Sequence, residues 1–188
     1  MKLDLGCGVF PKEGFEGVDF FSPTARHKVN LCKFPWPWED SSIDELYSAD
    51  FLEHIPDCYV KSDGVTYLSV PQDSSDKDLL CRFMDEAYRV LKPGGRFEIM
   101  VPSGMSSLGF RDPTHRRFFF NDSFYYFNYN WRESRGLGHY LCMCNFEVSV
   151  YTIVEDNLLS LNQNIIEKKC SSEWNVALNY KAVLISKK

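Results

Sequence analysis

The feature that most restricts the fold is a short apolar strand, Leu3-Asp4-Leu5, running without a spacer into Gly6-Cys7-Gly8. Glycines let the main chain turn sharply and let a ligand approach it without a clashing Cβ. Residues 15–20 (FEGVDF) read as the next strand and put Asp19 at its end. A carboxylate there can accept from two vicinal ribose hydroxyls. Together the two features describe a nucleoside-containing cofactor at the carboxyl edge of a parallel sheet. A dinucleotide fits poorly. Its third glycine falls at Pro11, and Asp19 follows Gly8 by 11 residues where about 20 are expected.

The rest of the chain supports such a sheet. Residues 26–31 and Ile43–Ala49 read as a third and a fourth strand. The Pro/Trp segment from Phe34 to Trp38 is neither helix nor central strand, because its prolines remove donors. Residues 76–91 form the clearest helix. Leu79/Leu80, Phe83/Met84, Ala87 and Val90/Leu91 make its apolar stripe, Ser75 and Asp78 stand at capping-box spacing, and Pro93-Gly94-Gly95 ends it. Residues 97–101, 146–154 and 176–186 are further strands. The order predicts an α/β sandwich on a mostly parallel sheet.

Composition removes several function classes. The 188 residues are one ordinary domain, with 44% hydrophobic and 25% charged residues, so a disordered chain is excluded. A net charge of −5 argues against a non-specific polyanion binder, but leaves room for an enzyme acting on nucleic acid through a local patch. Seven cysteines, with Cys142-x-Cys144 the only close pair, read as reduced thiols and not as a metal clip, so no metal is expected. No run near 18 apolar residues occurs, and the N-terminus has an acid at position 4 and no apolar stretch. The expectation is a cytoplasmic protein without a membrane span.

Four motifs in order, LDLGCG, GVDF, SADFLEHIP and EAYRVLKPGGRFEIMVP, span residues 2–102. In that order they resemble the class I S-adenosylmethionine-dependent methyltransferases, and most closely the small, type 11-like members with a shortened first crossover. The resemblance implies a Rossmann-like sandwich with a seven-stranded, mostly parallel sheet whose last strand is antiparallel. It implies one methyltransferase domain over 1–188, with 1–102 as the cofactor half. Residues 103–188 then supply an acceptor-side loop, an aromatic segment and the C-terminal strands. Asp4, Gly6, Cys7 and Gly8 would line the methionine part of S-adenosylmethionine. Asp19 would hold the ribose, Phe20, Asn30 and Leu31 would surround the adenine, and Asp50 and Phe51 would face the sulfonium. The chain starts at the first strand, where the family carries a covering helix, so the expectation is either weak cofactor affinity or a cover supplied by another element.

Methyl transfer from a sulfonium depends on alignment, and needs a base only where the acceptor carries a proton at neutral pH. Glu53 and His54 are the first candidates for that base, though a packed stem and a capped turn explain them equally well. The distinctive region is Arg111-Asp112-Pro113-Thr114-His115-Arg116-Arg117, followed by nine aromatics in residues 118–131. It leaves the carboxyl edge of the sheet and so overhangs the methyl group. His115 suits proton transfer, while Arg116 and Arg111 suit an anionic group of a small-molecule or glycan acceptor. The aromatics read mainly as packing. A second function class stays open: a non-catalytic S-adenosylmethionine- or S-adenosylhomocysteine-binding module that partners another protein.

Overall fold

A computed structural model describes all residues, 1–188. In chain order the elements begin with β1 (Lys2–Leu5), β2 (Glu16–Val18) and β3 (Ile43–Ala49). After a 3-10 turn at Leu52–His54 come three two-residue strands, β4 (Tyr59–Val60), β5 (Tyr67–Leu68) and β6 (Lys77–Asp78). Helix α1 (Leu79–Val90) leads straight into β7 (Leu91–Pro102). A short α2 (Ser107–Phe110), a 3-10 turn at Asn121–Phe127 and α3 (Tyr129–Ser134) precede β8 (Phe146–Ile153). Helix α4 (Gln163–Ser172) and β9 (Asn179–Ser186) close the chain.

The main sheet has the order β2-β1-β3-β7-β9-β8. β1 lies parallel to β2 and β3, β3 is parallel to β7, and β9 is antiparallel to both β7 and β8. The last strand of the chain therefore runs against the others, between β7 and the edge. The sheet has six strands, where the resemblance implies seven. Residues 26–31 pair only through one bridge, Val18 to His27. The segment is held by its ends, with the His27 ring 2.7 Å from Glu16 and Asn30 Oδ1 accepting from Cys32 N. The crossover from β1 to β2 contains no helix, which is the shortened connection the motifs suggest.

One face of the sheet carries the core. Phe97, Ile99 and Val101 of β7 stand beside Leu184, Ala182 and Tyr180 of β9, all buried. Alternate residues point to opposite faces of a strand, so Glu98 and Lys181 lie on the other face, where they pair. Helix α1 lays Leu79, Phe83, Met84, Ala87 and Val90 on the core side. A fully buried phenylalanine such as Phe83 contributes roughly 1.5–3 kcal/mol. The Pro/Trp segment docks on this helix: Trp36 N donates to Glu86 at 2.6 Å and its ring lies 5.1 Å from Phe83.

The helix cap differs from the sequence expectation. Asp78, not Ser75, is the N-cap and accepts from Leu80 N and Cys81 N. Of the expected helix 76–91, residues 76–78 do not enter because Lys77 and Asp78 are drawn into the small sheet β5-β4-β6, which also organises the polar stretch 57–75, and Leu91 and Pro93-Gly94-Gly95 already belong to β7. Helix α4 had no counterpart in the sequence reading. Its stripe is weak and none of its residues is buried; Asn162, which accepts from Asn164 N, caps it.

Candidate active site

The direction of winding reverses between β1 and β3, so their carboxyl ends open a crevice. A groove of about 170 Å³ lies there, lined by Gly6, Asp19, Phe20, Phe21, Val29, Asn30, Leu31, Cys32 and Phe51. Six of the ten residues expected at a cofactor site thus share one groove. Val29, Phe21 and Cys32 were missed, although each is the chain neighbour of an expected residue. The turn after β1 uses left-handed backbone at Gly6 (φ +74°) and Gly8 (φ +53°). Gly6 is also sterically required. A Cβ there would stand 2.3 Å from two Phe51 ring carbons. Asp50, exposed at the end of β3 with φ +49°, makes the sharp exit that sends Phe51 back beneath the turn.

The other expected residues brace the groove without lining it. Asp4 is 3% exposed and accepts from Lys12 N at 2.8 Å, which ties the far end of the glycine loop to β1. Burial raises its carboxyl above the usual range. The Cys7 thiol sits against the Gly17 backbone, 2.7 Å from where a Cβ would be, and burial near Asp4 and Asp19 pushes it up to about 11. Gly8 N donates to Asp19 Oδ2 at 3.2 Å, while Oδ1 accepts from Phe21 N and Ser22 N at 2.8 Å each. Three of the four or so acceptor positions of this carboxylate are therefore filled by backbone. Asp19 fixes the loops on both sides of the groove and has room for one further donor.

Beyond Phe51 the 3-10 turn places Glu53 inward, 1% exposed, and His54 at the rim. The loop after β7 returns over this turn. Arg116 N and Arg117 N both donate to the Glu53 carbonyl, at 2.7 and 3.0 Å. His115 is thereby set beside His54, with ring centroids 4.7 Å apart, and its Nε2 is 4.0 Å from Glu53 Oε1. The three residues nominated for catalysis, Glu53, His54 and His115, form one cluster. Burial, reinforced by the Asp50 and Asp112 charges, pushes the Glu53 carboxyl up to about 7. Burial and the neighbouring His115 lower the pKa of His54.

Hydrogen bonds fix the ring states. His115 Nδ1 lies 2.8 Å from the Gly109 carbonyl, which only accepts, so Nδ1 carries a hydrogen and the neutral ring keeps its lone pair on Nε2. The Thr114 hydroxyl donates to Asp112 at 2.7 Å and accepts from His54 Nδ1 at 3.0 Å, so His54 also keeps its lone pair on Nε2. Asp112 and Thr114 shape the turn around Pro113, and the orienting of His54 by Thr114 was not legible in the sequence.

The loop is pinned by a residue the sequence reading did not single out. Arg117 reaches Asp78 through two contacts of 2.9 and 3.1 Å, and donates to the Ile55 and Pro56 carbonyls. Arg116 is exposed and folds onto the carbonyls of Pro113 and His115; Arg111 is exposed and makes no ion pair. Neither enters the cluster. Of the aromatics, Phe119, Phe124 and Phe127 are buried, whereas Phe118 and Phe120 stand out from the surface, with Phe118 stacked on Phe110.

No protein-family model and no curated protein matches the chain. Solved structures do. A SAM-dependent methyltransferase from Archaeoglobus fulgidus superposes with a TM-score of 0.60 at 16% identity, over 98% of this chain and 85% of that one. A possible histamine N-methyltransferase from Thermotoga maritima gives 0.54 at 16%, over 99% and 82%. Phosphoethanolamine N-methyltransferase 2 from Haemonchus contortus, solved with phosphomonomethylethanolamine and S-adenosylhomocysteine, gives 0.51 at 17%, over 99% and 48%. The fold is that of the S-adenosylmethionine-dependent methyltransferases.

Proposed function

We propose that this protein transfers a methyl group from S-adenosylmethionine to a small-molecule or glycan acceptor. The observation that carries the reading is adjacency: the groove at the switch point shares Phe51 with the chain segment that delivers Glu53 and His54. In this reading Phe20, Asn30 and Leu31 hold the adenine and Asp19 takes one ribose hydroxyl. The Gly6–Gly8 turn meets the methionine part, with Asp4 and Cys7 supporting it from below. Asp50 and Phe51 lie nearest the sulfonium. An acceptor lone pair forms the new bond to the methyl carbon as the methyl–sulfur bond breaks. The sulfur keeps that pair as a neutral thioether, and the acceptor's proton leaves. Because the displacement is in line, the fixed wall formed by Glu53, His54 and His115 acts by orienting the acceptor. Arg111, exposed and without an ion pair, and Arg116, exposed and folded onto its own loop, are the cations that would meet an anionic group of it. No helix is long and apolar enough to cross a membrane, in keeping with an acceptor met in water.

The test is calorimetry of S-adenosylhomocysteine, together with mass spectrometry of any ligand carried through purification. Saturable one-to-one binding, lost on blocking the groove, is expected. Absence of any binding overturns the reading. Cofactor binding without turnover on any acceptor would favour the non-catalytic module instead.

A further inference from the structure

Glu53, His54 and His115 each bring one ligating atom within 4.8 Å of the other two. Both rings are locked as donors on Nδ1, so each leaves an Nε2 lone pair. Glu53 Oε1 lies 4.0 Å from His115 Nε2, and Glu53 Oε2 is buried with no hydrogen-bond partner. A buried polar atom ordinarily finds a partner, and a buried charge a counter-charge. With both rings neutral and the carboxyl ionised, this cluster presents acceptors, and no Lys or Arg side chain pairs with Glu53. What is missing between them is positive charge.

We propose that Glu53, His54 and His115 bind a divalent transition-metal ion, whose open positions receive a hydroxyl of the acceptor. The second clause rests on the methyl-transfer reading; the first does not. Two imidazoles and one carboxylate suit zinc, iron or manganese better than magnesium or calcium, which prefer all-oxygen sets. Three protein ligands leave positions free for a substrate oxygen, as in catalytic zinc sites. The surroundings have the form such sites need. Ligating histidines give their other ring N–H to a carbonyl or carboxylate, and here His115 donates to Gly109 O while His54 reaches Asp112 through Thr114. The half-buried His54 and exposed Thr114 leave a way in from solvent. Bound to the ion, an acceptor hydroxyl loses its proton to solvent more readily and presents an oxygen lone pair to the methyl carbon. The acceptor class narrows accordingly, from any nucleophile to a hydroxyl-bearing one.

The other cluster of candidate ligands, Asp85 with Cys142 and Cys144, does not compete. Asp85 already accepts from Met143 N and Cys144 N and pairs with Lys77 at 2.7 Å. The expectation of no metal rested on the absence of local ligand spacing, and this site is assembled from two segments some 60 residues apart in the chain.

The experiment strips the full chain with chelator and titrates it with Co2+, then with Zn2+ by calorimetry. One ion per chain is expected, with visible d–d bands and no thiolate charge-transfer band. Glu53→Gln and His115→Ala should each weaken binding at least about a hundredfold. Thr114→Val, which loosens only the His54 support, should weaken it roughly tenfold. S-adenosylhomocysteine affinity, measured on the same samples, should stay within about threefold of the parent, a shift well under 1.4 kcal/mol, which shows that the variants are folded. Failure of the parent to take an ion overturns the proposal. So does binding that survives both ligand substitutions, or that carries a thiolate band. If the ion binds as described but S-adenosylhomocysteine does not, the methyl-transfer reading falls and the metal site stands.

Discussion

Replacing Gly6 by alanine tests the geometry on which the groove depends. Two separate costs follow from the structure. The first is conformational: φ is +74°, and an L-residue in left-handed backbone costs about 1–2 kcal/mol. The second is steric. The new methyl would stand 2.3 Å from Phe51 Cγ and Cδ2 and 2.7 Å from its Cβ. These atoms are the root of the side chain, so a change of rotamer at the tip gives no relief. Phe51 is anchored by the left-handed Asp50 before it and by Phe83, 6.0 Å away between ring centroids. Forcing it aside is an overpacking cost of about 1–3 kcal/mol. The sum is about 2–5 kcal/mol, and for a chain of this length each kcal/mol shifts the melting temperature by roughly 2–4 °C. The two costs separate in a double-mutant cycle. In Gly6→Ala/Phe51→Ala the clash is gone and the backbone cost remains, so the cycle should show a favourable coupling of about 1–3 kcal/mol. Urea unfolding reads the stability, and S-adenosylhomocysteine calorimetry reads the groove. A Gly6→Ala protein within about 0.5 kcal/mol of the parent, the range of innocuous surface changes, would refute the reasoning, as would zero coupling.

Asp19→Ala removes the acceptor for three backbone donors and one ribose hydroxyl, so S-adenosylhomocysteine affinity should fall at least about tenfold, or 1.4 kcal/mol; calorimetry showing unchanged affinity would remove Asp19 from the site. Arg117→Met severs the fork to Asp78 and to the Ile55 and Pro56 carbonyls, and should cost about 1–3 kcal/mol in urea unfolding while raising hydrogen exchange at the amides of residues 116 and 117. Unchanged exchange there would show that the loop holds itself. Cys7, pushed up to about 11 from 9.0, should have about a hundredfold less thiolate than an ordinary thiol near pH 8. Alkylation followed by peptide mass mapping should therefore be slow at pH 8 and accelerate until about pH 11, and fast labelling at pH 8 would contradict the buried placement.

What could be read in the chain was whatever a single segment encodes. Ile43–Ala49 appears as a strand over the same residues because its ends are marked locally, by Ser41-Ser42 before it and by the Asp50 turn after it. The glycine turn was legible because Gly6 and Gly8 use backbone that other residues resist. The stripe of α1 was legible as well, but its start was not. The sequence reads Ser75 and Asp78 as the two partners of one capping box, and Asp78 becomes the cap itself because Lys77 and Asp78 pair with β4, a tertiary effect. Residues 26–31 failed as a strand for a related reason: only His27 meets β2, whose three paired residues leave no longer edge to extend. Asp19, read from the sequence as the ribose anchor, does line the groove, yet three of its hydrogen bonds are to loop backbone, which no spacing rule reveals.

The cluster of Glu53, His54 and His115 shows where local reading ends. Glu53 and His54 were open to a packing interpretation because nothing near them in the chain shows what faces them. His115 was nominated from the topology of the carboxyl edge alone. Their meeting depends on a latch built from other residues. The bridge between Ser103 and Phe119 closes the base of the loop. The amides of Arg116 and Arg117 fasten its middle to the Glu53 carbonyl, and Asp78, already occupied in capping α1, receives the Arg117 guanidinium. Each of these groups would be unremarkable alone. Jointly they force His115 over a carboxylate that is itself buried because the loop covers it, so the cover and the cost of burying Glu53 arise from the same contacts. A loop held at its base, its middle and its guanidinium is a wall and not a lid. Glu53, His54 and His115 therefore meet through bonds made within this chain, and the buried Glu53 oxygen left without a partner is the point at which the proposed ion would be held.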